Sequence, residues 1–213
     1  MSKSNQKLIG VSGKMGAGKD TVGLIIMGLT ATNSVSDGVL AHAINMNSNS
    51  LLLKTEWTIK KMASKLKDVA ALLVGVPSYL FENQDFKKEK MGPEWGDMTY
   101  REFLQKIGTD ALRDNVHADI WANSLFSDMT GSSKWIVTDV RFPNEAEAIR
   151  SRKGILIRVN TTREVPVSDH PSETSLDDYK EFDYVIDNSG TMEALVRRIR
   201  DILVKEGIIK NPE

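Results

Sequence analysis

The sequence contains no cysteine among its 213 residues. This absence excludes disulfide bonds, thiolate metal sites and cysteine nucleophiles. An excess of either charge is also lacking, because 28 lysine and arginine residues face 29 aspartate and glutamate residues, for a net charge of −1. A domain that binds nucleic acid through its phosphates usually carries a basic excess, so a stable nucleic-acid partner is disfavoured.

Long apolar segments are absent as well. No apolar span reaches the length of about 18 residues that a membrane helix needs, and the polar start MSKSNQ lacks the apolar stretch of a signal peptide. We therefore expect no membrane association and a cytoplasmic location. With 40% hydrophobic and 27% charged residues, the chain has an ordinary composition, and its length favours one domain with insertions over residues 1–213.

Apolar runs alternate with helical periods along most of the chain. Strands are predicted at 7–12, 56–62, 134–140, 154–160 and 183–188, and helical stretches at 19–29, 64–75, 77–86, 99–113, 117–129, after Pro143 and at 190–206. This alternation predicts an α/β fold in which a parallel sheet carries helices on both faces. Residues 30–53 are rich in asparagine and serine and predict a long loop, and 161–182 predict a mobile loop or short helical flap.

A glycine-rich turn joins the first predicted strand to the first predicted helix. Residues 13–19, GKMGAGK, fit the pattern G-x-x-x-x-G-K, in which backbone N–H groups and a helix N-terminus bind phosphate. Gly13, Gly16 and Gly18 let the backbone approach the phosphate, and Lys19 reaches the terminal phosphates of a nucleotide. An ordinary glycine turn capped by Asp20 is the alternative.

The hydroxyl that usually follows this lysine is displaced by one position. Asp20 stands where GTPases and many ATPases carry the Ser or Thr that ligates Mg²⁺, and Thr21 comes next. The order GKDT is similar to that of adenylate kinases and favours a nucleotide or small-molecule kinase. The predicted donor-binding residues are Gly13, Gly16, Ala17, Gly18, Lys19, Asp20 and Thr21.

Further strings extend this match along the chain. They are KLKD (65–68), YREFLQKIGTDALR (100–113), HADIWANSL (117–125), TDVRFPNEAEAIR (138–150), HPSE (170–173) and DYVIDNSGTMEAL (183–195). In this order, the sequence resembles the deoxynucleoside monophosphate kinases of tailed phages. The resemblance implies a three-layer phosphate-loop kinase fold with a five-stranded parallel sheet, a helical acceptor-binding region at about 62–130 and a lid at about 161–182. The implied reaction is Mg²⁺-dependent transfer of the ATP γ-phosphoryl group to a deoxynucleoside 5′-monophosphate.

The acceptor phosphate needs fixed cations, and a bidentate guanidinium suits it better than an ammonium does. The motif matches assign this binding to Arg101, Arg113 and Arg141. Lys67 lies where the family carries a lysine after a proline, but that proline is missing here, which leaves Lys65 as an alternative. Solvated helix charges are the other interpretation of all these residues.

Asp139 lies at the end of a predicted strand. An acidic residue in this position can hold Mg²⁺ through water or fix the acceptor. Alternatively, Asp139 caps the next helix. Arg163 lies in the expected lid, where a guanidinium can stabilise the transferring phosphoryl group. Lys19, Arg141 and Arg163 are thus the predicted catalytic residues. Trp121 is expected to border the acceptor base or, equally, to pack in the interior.

The resemblance also implies that Asn188 and Thr191, after the last strand, contact the adenine of ATP. A plain connection in which Thr191 caps the final helix has equal weight. The expected partners are small nucleotides, with a homodimer as a further possibility and the host cytoplasm as the location if the protein is phage-encoded.

Two other functions fit part of the pattern. One is another small-molecule kinase of the same fold, such as a dephospho-coenzyme A kinase. The other is a module that binds ATP and transfers nothing. The arginines between 101 and 141 argue against such a module, because a simple ATP sensor has no need of a second anionic pocket.

Overall fold

Five parallel strands form the centre of the molecule. The computed structural model describes residues 7–32, 34–48, 55–164 and 171–211. The strands are β1 (Lys7–Ser12), β2 (Trp57–Lys60), β3 (Lys134–Val140), β4 (Ile155–Asn160) and β5 (Tyr184–Asp187). They pair in the order β2-β3-β1-β4-β5, with every pair parallel. The predicted α/β fold with a five-stranded parallel sheet is confirmed, and each predicted strand is present.

Helices and short turns make up most of the remaining described chain. The α-helices are α1 (Lys19–Ala31), α2 (Asp37–Asn45), α3 (Ser64–Val74), α4 (Tyr100–Gln105), α5 (Ile120–Phe126), α6 (Pro143–Arg150), α7 (Pro171–Thr174) and α8 (Met192–Lys205). A π-helix covers Lys106–Arg113, and three 3₁₀ turns cover Ser78–Glu82, Phe86–Lys88 and Pro93–Trp95. Among the residues so described, no helix is both long and apolar enough to cross a membrane.

The two faces of the sheet are covered by different helices. Ile9 and Val11 point to the side of α1, α2 and α8 and are buried in one continuous core with them. Gly10 points to the opposite side, where a Cβ atom would lie only 2.5 Å from Cδ1 of Ile149 on α6. Since successive side chains of a strand alternate between faces, this pattern places helices on both sides and gives three layers.

The packing divides the chain into two compact units. Met1–Lys61 with Thr130–Glu213 form the first unit, which contains the sheet, and Met62–Met129 form the second. The second unit is helical and has its own apolar cluster around Phe81 and Phe103. The predicted acceptor-binding region spans about the same residues as the second unit. That both units act as one kinase domain over 1–213 stays a prediction.

Aromatic packing holds the short turns of the second unit to its helices. Phe86 stacks on Tyr100 with ring centroids 4.2 Å apart, and Phe81 meets both rings edge-on. Thr99 and Glu102 form a capping box at the start of α4, where each side chain accepts a hydrogen bond from the backbone N–H of the other. These contacts fix a region that has little periodic structure.

Helix α2 corrects the prediction of a loop over 30–53, of which residues 33 and 49–54 lie outside the described part. Ser36 caps this helix by accepting a hydrogen bond from the N–H of Val39. Leu40 is fully buried and packs where Gly28 of α1 has no side chain, since a Cβ there would lie 2.5 Å from Cδ1 of Leu40. Tertiary packing therefore stabilises a helix that the local sequence scarcely signals.

The predicted lid is described only in part, because residues 165–170 lie outside the described chain. Its remaining portion contains α7, a single helical turn, followed by the buried side chain of Leu176. Of the loop or short helical flap predicted at 161–182, the helical part is observed at Pro171–Thr174.

A buried ion pair joins α2 to α8. The guanidinium Nε of Arg200 lies 2.7 Å from Oδ1 of Asp37, and the two side chains are 7% and 17% exposed. Arg200 also donates to the carbonyl of Val35. Asp37→Ala is expected to lower the free energy of unfolding by about 3 kcal/mol, because the buried guanidinium loses its anion. Urea unfolding monitored by circular dichroism measures this change.

The matched control is Glu193→Ala on α8, the helix that carries Arg200. Glu193 and Arg197 form an exposed pair at 3.8 Å, so its loss should cost less than about 0.5 kcal/mol. Equal costs for the two variants would contradict a special contribution of the buried pair.

Candidate active site

The carboxyl ends of β1 and β4 mark the candidate site. From β1 the chain continues toward β2 at one edge of the sheet, and from β4 it continues toward β5 at the other. Ligands of open α/β sheets bind where the connections diverge in this way. The glycine loop, which we define as residues 13–18, follows β1 directly at this position.

The glycine loop adopts a backbone that other residues would not tolerate. Gly16 and Gly18 have φ angles of 83° and 98°, in the left-handed region that glycine enters without strain. At Gly13, a Cβ atom would lie 2.6 Å from the carbonyl oxygen of Val159 in β4. The loop therefore lies close over the end of β4, and Gly18 is the N-cap of α1.

Asn188 holds this loop from within the protein. Its buried Nδ2 donates a hydrogen bond to the carbonyl of Ala17 at 2.9 Å. A Cβ atom on Gly18 would lie 2.4 Å from the same nitrogen. Asn188 was predicted to contact adenine; the structure gives it a supporting position beneath the loop, and adenine contact stays a prediction.

Thr191 lies at the start of α8. Its side chain accepts a hydrogen bond from the N–H of Ala194 at 3.2 Å and caps the helix. This is the second of the two interpretations that the sequence left open. A contact between Thr191 and adenine is not required to explain the residue.

Lys19 extends back over the glycine loop. Its Nζ donates to the carbonyl oxygens of Gly13 at 2.6 Å and Lys14 at 2.8 Å. Burial lowers the pKa of the Lys19 ammonium to about 8, and the guanidinium of Arg141 acts in the same direction. The carboxylate of Glu173 opposes this shift. The site thus holds two close cations whose charges are costly until an anion is near.

Strand β3 contains an extra residue opposite β1. Gly10 pairs with Val137, but Ser12 pairs with Val140, so three steps along β3 match two along β1. Such a bulge redirects the side chains around it and is common beside active sites. The irregularity falls at residues 138–139, where an acidic side chain was predicted to act.

The bulge positions two polar side chains near the start of α1. The hydroxyl of Thr138 is buried and donates to Oδ1 of Asp20 at 2.8 Å, while Lys61 lies 3.4 Å from the same oxygen. Asp139 is buried, and its negative charge acts on Lys19. Asp20 is therefore tied to β3, and Asp139 lies within electrostatic range of the predicted catalytic lysine.

Arg141 follows β3 and belongs to the same cluster. Its guanidinium forms an ion pair with Glu173 and lies 3.4 Å from both the carbonyl and the hydroxyl oxygen of Ser172. Its backbone N–H donates to Glu145, a buried residue in the first turn of α6. The predicted phosphate-binding arginine thus has a carboxylate partner in the ligand-free protein.

Arg163 lies at a different position from Arg141. It is exposed, and its guanidinium donates to the carbonyl of Gly190 at 3.2 Å. Thr162 similarly donates its N–H to the hydroxyl of Ser189 at 2.8 Å. These contacts place Arg163 beside the loop that was expected near adenine, so its action on a transferring phosphoryl group stays a prediction.

The second unit carries the other predicted acceptor residues. Arg101 donates to the side-chain oxygen of Gln84 at 2.9 Å, and Arg113 donates to the carbonyl of Ala118 at 3.3 Å. The guanidinium of Arg101 is therefore oriented by a neutral oxygen atom. A neutral partner leaves the positive charge of Arg101 available to an anion.

The two candidate lysines of this unit form ion pairs. Nζ of Lys67 lies 2.6 Å from Oε1 of Glu82, with the lysine side chain only 13% exposed. Lys65 is 43% exposed and pairs with Asp128 at 2.9 Å. The choice between them for the acceptor stays open, since each has an acidic neighbour.

Trp121 packs against the π-helix. The indole is buried, and its N–H donates to the carbonyl of Gly108 at 2.8 Å. A Cβ atom on Gly108 would lie 2.7 Å from Leu66 of α3, so the helix turns closely over its neighbour. These contacts favour the packing interpretation of Trp121 over a platform for a base. π-Helices are rare and often occur at functional sites.

Sequence reasoning missed the contribution of three residues near the glycine loop. They are Arg158, Glu173 and Asp177. An arginine within the apolar run GILIRVN was a usable signal for the first, because a charge in a central strand needs a partner. Glu173 ends the matching string HPSE, to which the sequence assigned no chemical role, and Asp177 lies in a polar stretch without any pattern that distinguishes it.

Among the described residues, no group of three or more histidine, aspartate or glutamate side chains is arranged to hold a metal ion. Asp139 as a metal ligand therefore stays a prediction. It would need oxygen atoms from a bound nucleotide or from water to complete the coordination of a cation such as Mg²⁺.

Comparison with known proteins matches residues 38–199 to the family described as deoxynucleotide monophosphate kinase. A protein of Acanthamoeba polyphaga mimivirus, provisionally named a deoxynucleotide monophosphate kinase, is 29% identical over 154 residues, or 66% of this chain and 79% of the relative. The deoxynucleoside-5′-monophosphate kinase of Escherichia phage T5 is 34% identical over 85 residues, or 36% of this chain and 34% of that protein. The family match begins after the glycine loop, so the geometry of the loop is an independent observation.

The pKa of Lys19 predicts how anion binding depends on pH. Below about pH 8 the ammonium is charged, and above it the charge is lost, so ATP affinity should be constant up to pH 8 and then fall by up to about tenfold per pH unit. A terminal phosphate ionises near pH 6, so the charge of ATP itself stays constant over this window. Isothermal titration calorimetry between pH 7 and about 9.5 measures the effect.

Lys19→Met is the control for that titration. It should bind ATP more weakly at pH 7 and show no decline above pH 8, because the titrating group is gone. An equal decline in both proteins would assign the pH dependence to another group.

Proposed function

Because the chain belongs to the deoxynucleotide monophosphate kinase family, and so catalyses phosphoryl transfer to deoxynucleoside monophosphates, we propose that ATP is the donor and binds at the glycine loop. The observation that carries this proposal is the position of Lys19, whose Nζ is held over the loop by two carbonyl oxygens. A bound polyphosphate offers that ammonium charged oxygen atoms in place of neutral ones. The start of α1 adds its partial positive charge at the same point.

The donor site in this proposal needs little covalent chemistry from the protein. Phosphoryl transfer requires that the donor and acceptor be held in line and that their negative charge be balanced. Lys19 and Arg141 supply positive charge, and the backbone of the glycine loop supplies N–H donors. Asn188 keeps that backbone in place by bonding to Ala17.

Mg²⁺ fits this donor site as a companion of the nucleotide. The ion favours oxygen ligands and is commonly held by one or two carboxylates together with substrate phosphates and water. Asp139 would hold it, since this buried carboxylate acts electrostatically on Lys19 beside the glycine loop. When bound, the ion would supply charge neutralisation on the transferring phosphates.

We propose that the acceptor phosphate is bound by Arg101, Arg113 and Arg141. Arg101 donates to the side-chain oxygen of Gln84 and Arg113 to the carbonyl of Ala118, so each guanidinium has a defined orientation. Arg141 belongs to the cluster around Lys19. A guanidinium can offer two parallel N–H groups to one phosphate. The ion pair with Glu82 makes Lys67 a weaker candidate for this role than Arg101, whose partner is the neutral side chain of Gln84.

Family membership does not favour the two alternative functions, a dephospho-coenzyme A kinase or a non-catalytic ATP-binding module. We place the reaction in the cytoplasm, the host's if the chain is phage-encoded, because its proposed substrates are small soluble nucleotides. A homodimer stays a prediction.

Replacing Lys19 tests the donor assignment. Lys19→Met should lower kcat by about 100- to 1000-fold, the usual cost of losing one group that stabilises transition-state charge, and should leave the fold unchanged. A coupled ADP-release assay with ATP, Mg²⁺ and dGMP, dTMP, dCMP, dAMP or GMP measures turnover and reports base and sugar preference.

The matched control is Lys205→Met. This lysine lies over the ring of Tyr184 at the end of α8, so its loss should leave turnover at the level of the unaltered protein. Full turnover by a folded Lys19→Met protein would falsify the donor assignment.

Replacing Arg101 or Arg113 tests the acceptor assignment. Arg101→Gln and Arg113→Gln should each raise the KM for the monophosphate by about 10- to 100-fold, which corresponds to losing a hydrogen bond between charged groups of about 1.5–3 kcal/mol. The KM for ATP should stay unchanged. Steady-state kinetics with one nucleotide varied at a time separates the two effects.

Arg101→Lys and Arg113→Lys serve as conservative variants. Partial recovery of the monophosphate KM is expected, because lysine keeps the charge and loses the bidentate geometry. If only the KM for ATP rose, these arginines would bind the donor nucleotide, and the acceptor assignment would be wrong.

A further inference from the structure

Two carboxylates from the segment 171–177 reach the glycine loop. This segment consists of α7 and the turn that follows it, and it contains most of the string HPSE, whose acid has no part in the proposed reaction. Its backbone is closed by hydrogen bonds from Ser175 to Pro171 and from Asp177 to Thr174, and Leu176 anchors it in the interior.

Glu173 is the first of these carboxylates. Its Oε2 accepts a hydrogen bond from the backbone N–H of Met15 in the glycine loop at 2.8 Å, and its Oε1 pairs with the guanidinium of Arg141. The side chain is only 10% exposed. A single carboxylate therefore joins a loop amide to the arginine that is predicted to bind phosphate.

Asp177 is the second carboxylate. Its two oxygens pair with the ammonium of Lys14 and, at 3.2 Å, with the guanidinium of Arg158. Lys14 also donates to the backbone carbonyl of Glu173 at 2.7 Å, and Arg158 donates to the hydroxyl of Ser12 at the end of β1. Asp177 thus contacts side chains around the loop, whereas Glu173 contacts a backbone amide within it.

The partners of Glu173 are those that an anionic phosphate group would use. A loop N–H and a guanidinium are typical donors to phosphate oxygens, and the charge of Glu173 also acts on Lys19 by opposing the loss of its proton. The carboxylate supplies the anion that these three donors lack when no nucleotide is bound. An anionic ligand that takes the same donors must take them from Glu173.

We propose that Glu173 is an internal competitor for the phosphate site and that nucleotide phosphates must displace its carboxylate from Met15 and Arg141. The proposal rests on the proposed function for the identity of the ligand. It makes Glu173 a residue that sets nucleotide affinity, because every binding event exchanges one anion for another. Release of Glu173 also frees Arg141 to bind a phosphate.

The test compares Glu173→Gln with Asp177→Asn. Glutamine keeps the size of the side chain and an oxygen for the Met15 amide, but it removes the charge that competes with phosphate. Asp177→Asn also removes one negative charge from this segment, but Asp177 pairs with the side chains of Lys14 and Arg158 and not with a backbone amide of the loop. Binding of inorganic pyrophosphate and of ATP is measured by calorimetry at constant ionic strength, together with the melting temperature of the ligand-free proteins.

Competition predicts that Glu173→Gln binds both ligands about tenfold more tightly, whereas Asp177→Asn changes affinity by less than about threefold. Unchanged or weaker binding by a folded Glu173→Gln protein would overturn the proposal, because a carboxylate that merely shapes the loop weakens binding when it is lost. Glu173→Ala is measured alongside and should also bind more tightly. If neither variant folds, Glu173 is a structural residue and the proposal is wrong.

Pyrophosphate binding separates this inference from the proposed reaction, since it requires no transfer. Tighter pyrophosphate binding without turnover toward any monophosphate would support the competition and contradict the kinase assignment. Turnover by the unaltered protein, with no gain of affinity in the Glu173 variants, would support the kinase assignment and contradict the competition.

Discussion

The close contact between Asn188 and the glycine loop is the constraint on which the proposed donor site depends. Its amide donates to the carbonyl of Ala17 and fills the space that a side chain at position 18 would need. Gly13 lies equally close to the backbone of β4. The loop therefore extends over the ends of two neighbouring strands, and its backbone is shaped before any ligand arrives. Because the loop is already ordered, ligand binding costs less conformational entropy.

Positive charge gathered around this loop creates an electrostatic problem that the protein solves internally. Lys19 is buried enough for its pKa to fall to about 8, with the guanidinium of Arg141 adding to the shift. Glu173 and Asp177 supply compensating charge from one short segment. A protein with a net charge of −1 can thus maintain a strongly cationic site, because the balance is kept locally and not by the composition of the whole chain.

The second unit differs from the first in how its functional groups are held. The first positions its residues at the ends of parallel strands, whereas the second uses stacked aromatic rings, a capping box and a π-helix. Arg101 lies between the two residues of the capping box, Thr99 and Glu102, and Arg113 ends the π-helix. Phosphoryl transfer depends mainly on positioning, so irregular helices that orient guanidinium groups are suited to it.

The five strands, the glycine loop with Lys19 and the start of α6 at Pro143 could be predicted from the sequence, because each depends on local periodicity or backbone geometry. The existence of α2, the bulge at 138–139, the buried position of Trp121 and the partners of Glu173 depend instead on contacts between distant segments. The contacts Asp37–Arg200, Met15–Glu173 and Ala17–Asn188 join residues 163, 158 and 171 positions apart. A local pattern records which face of an element is buried, but a bond between such distant side chains forms only after the sheet has brought their segments together.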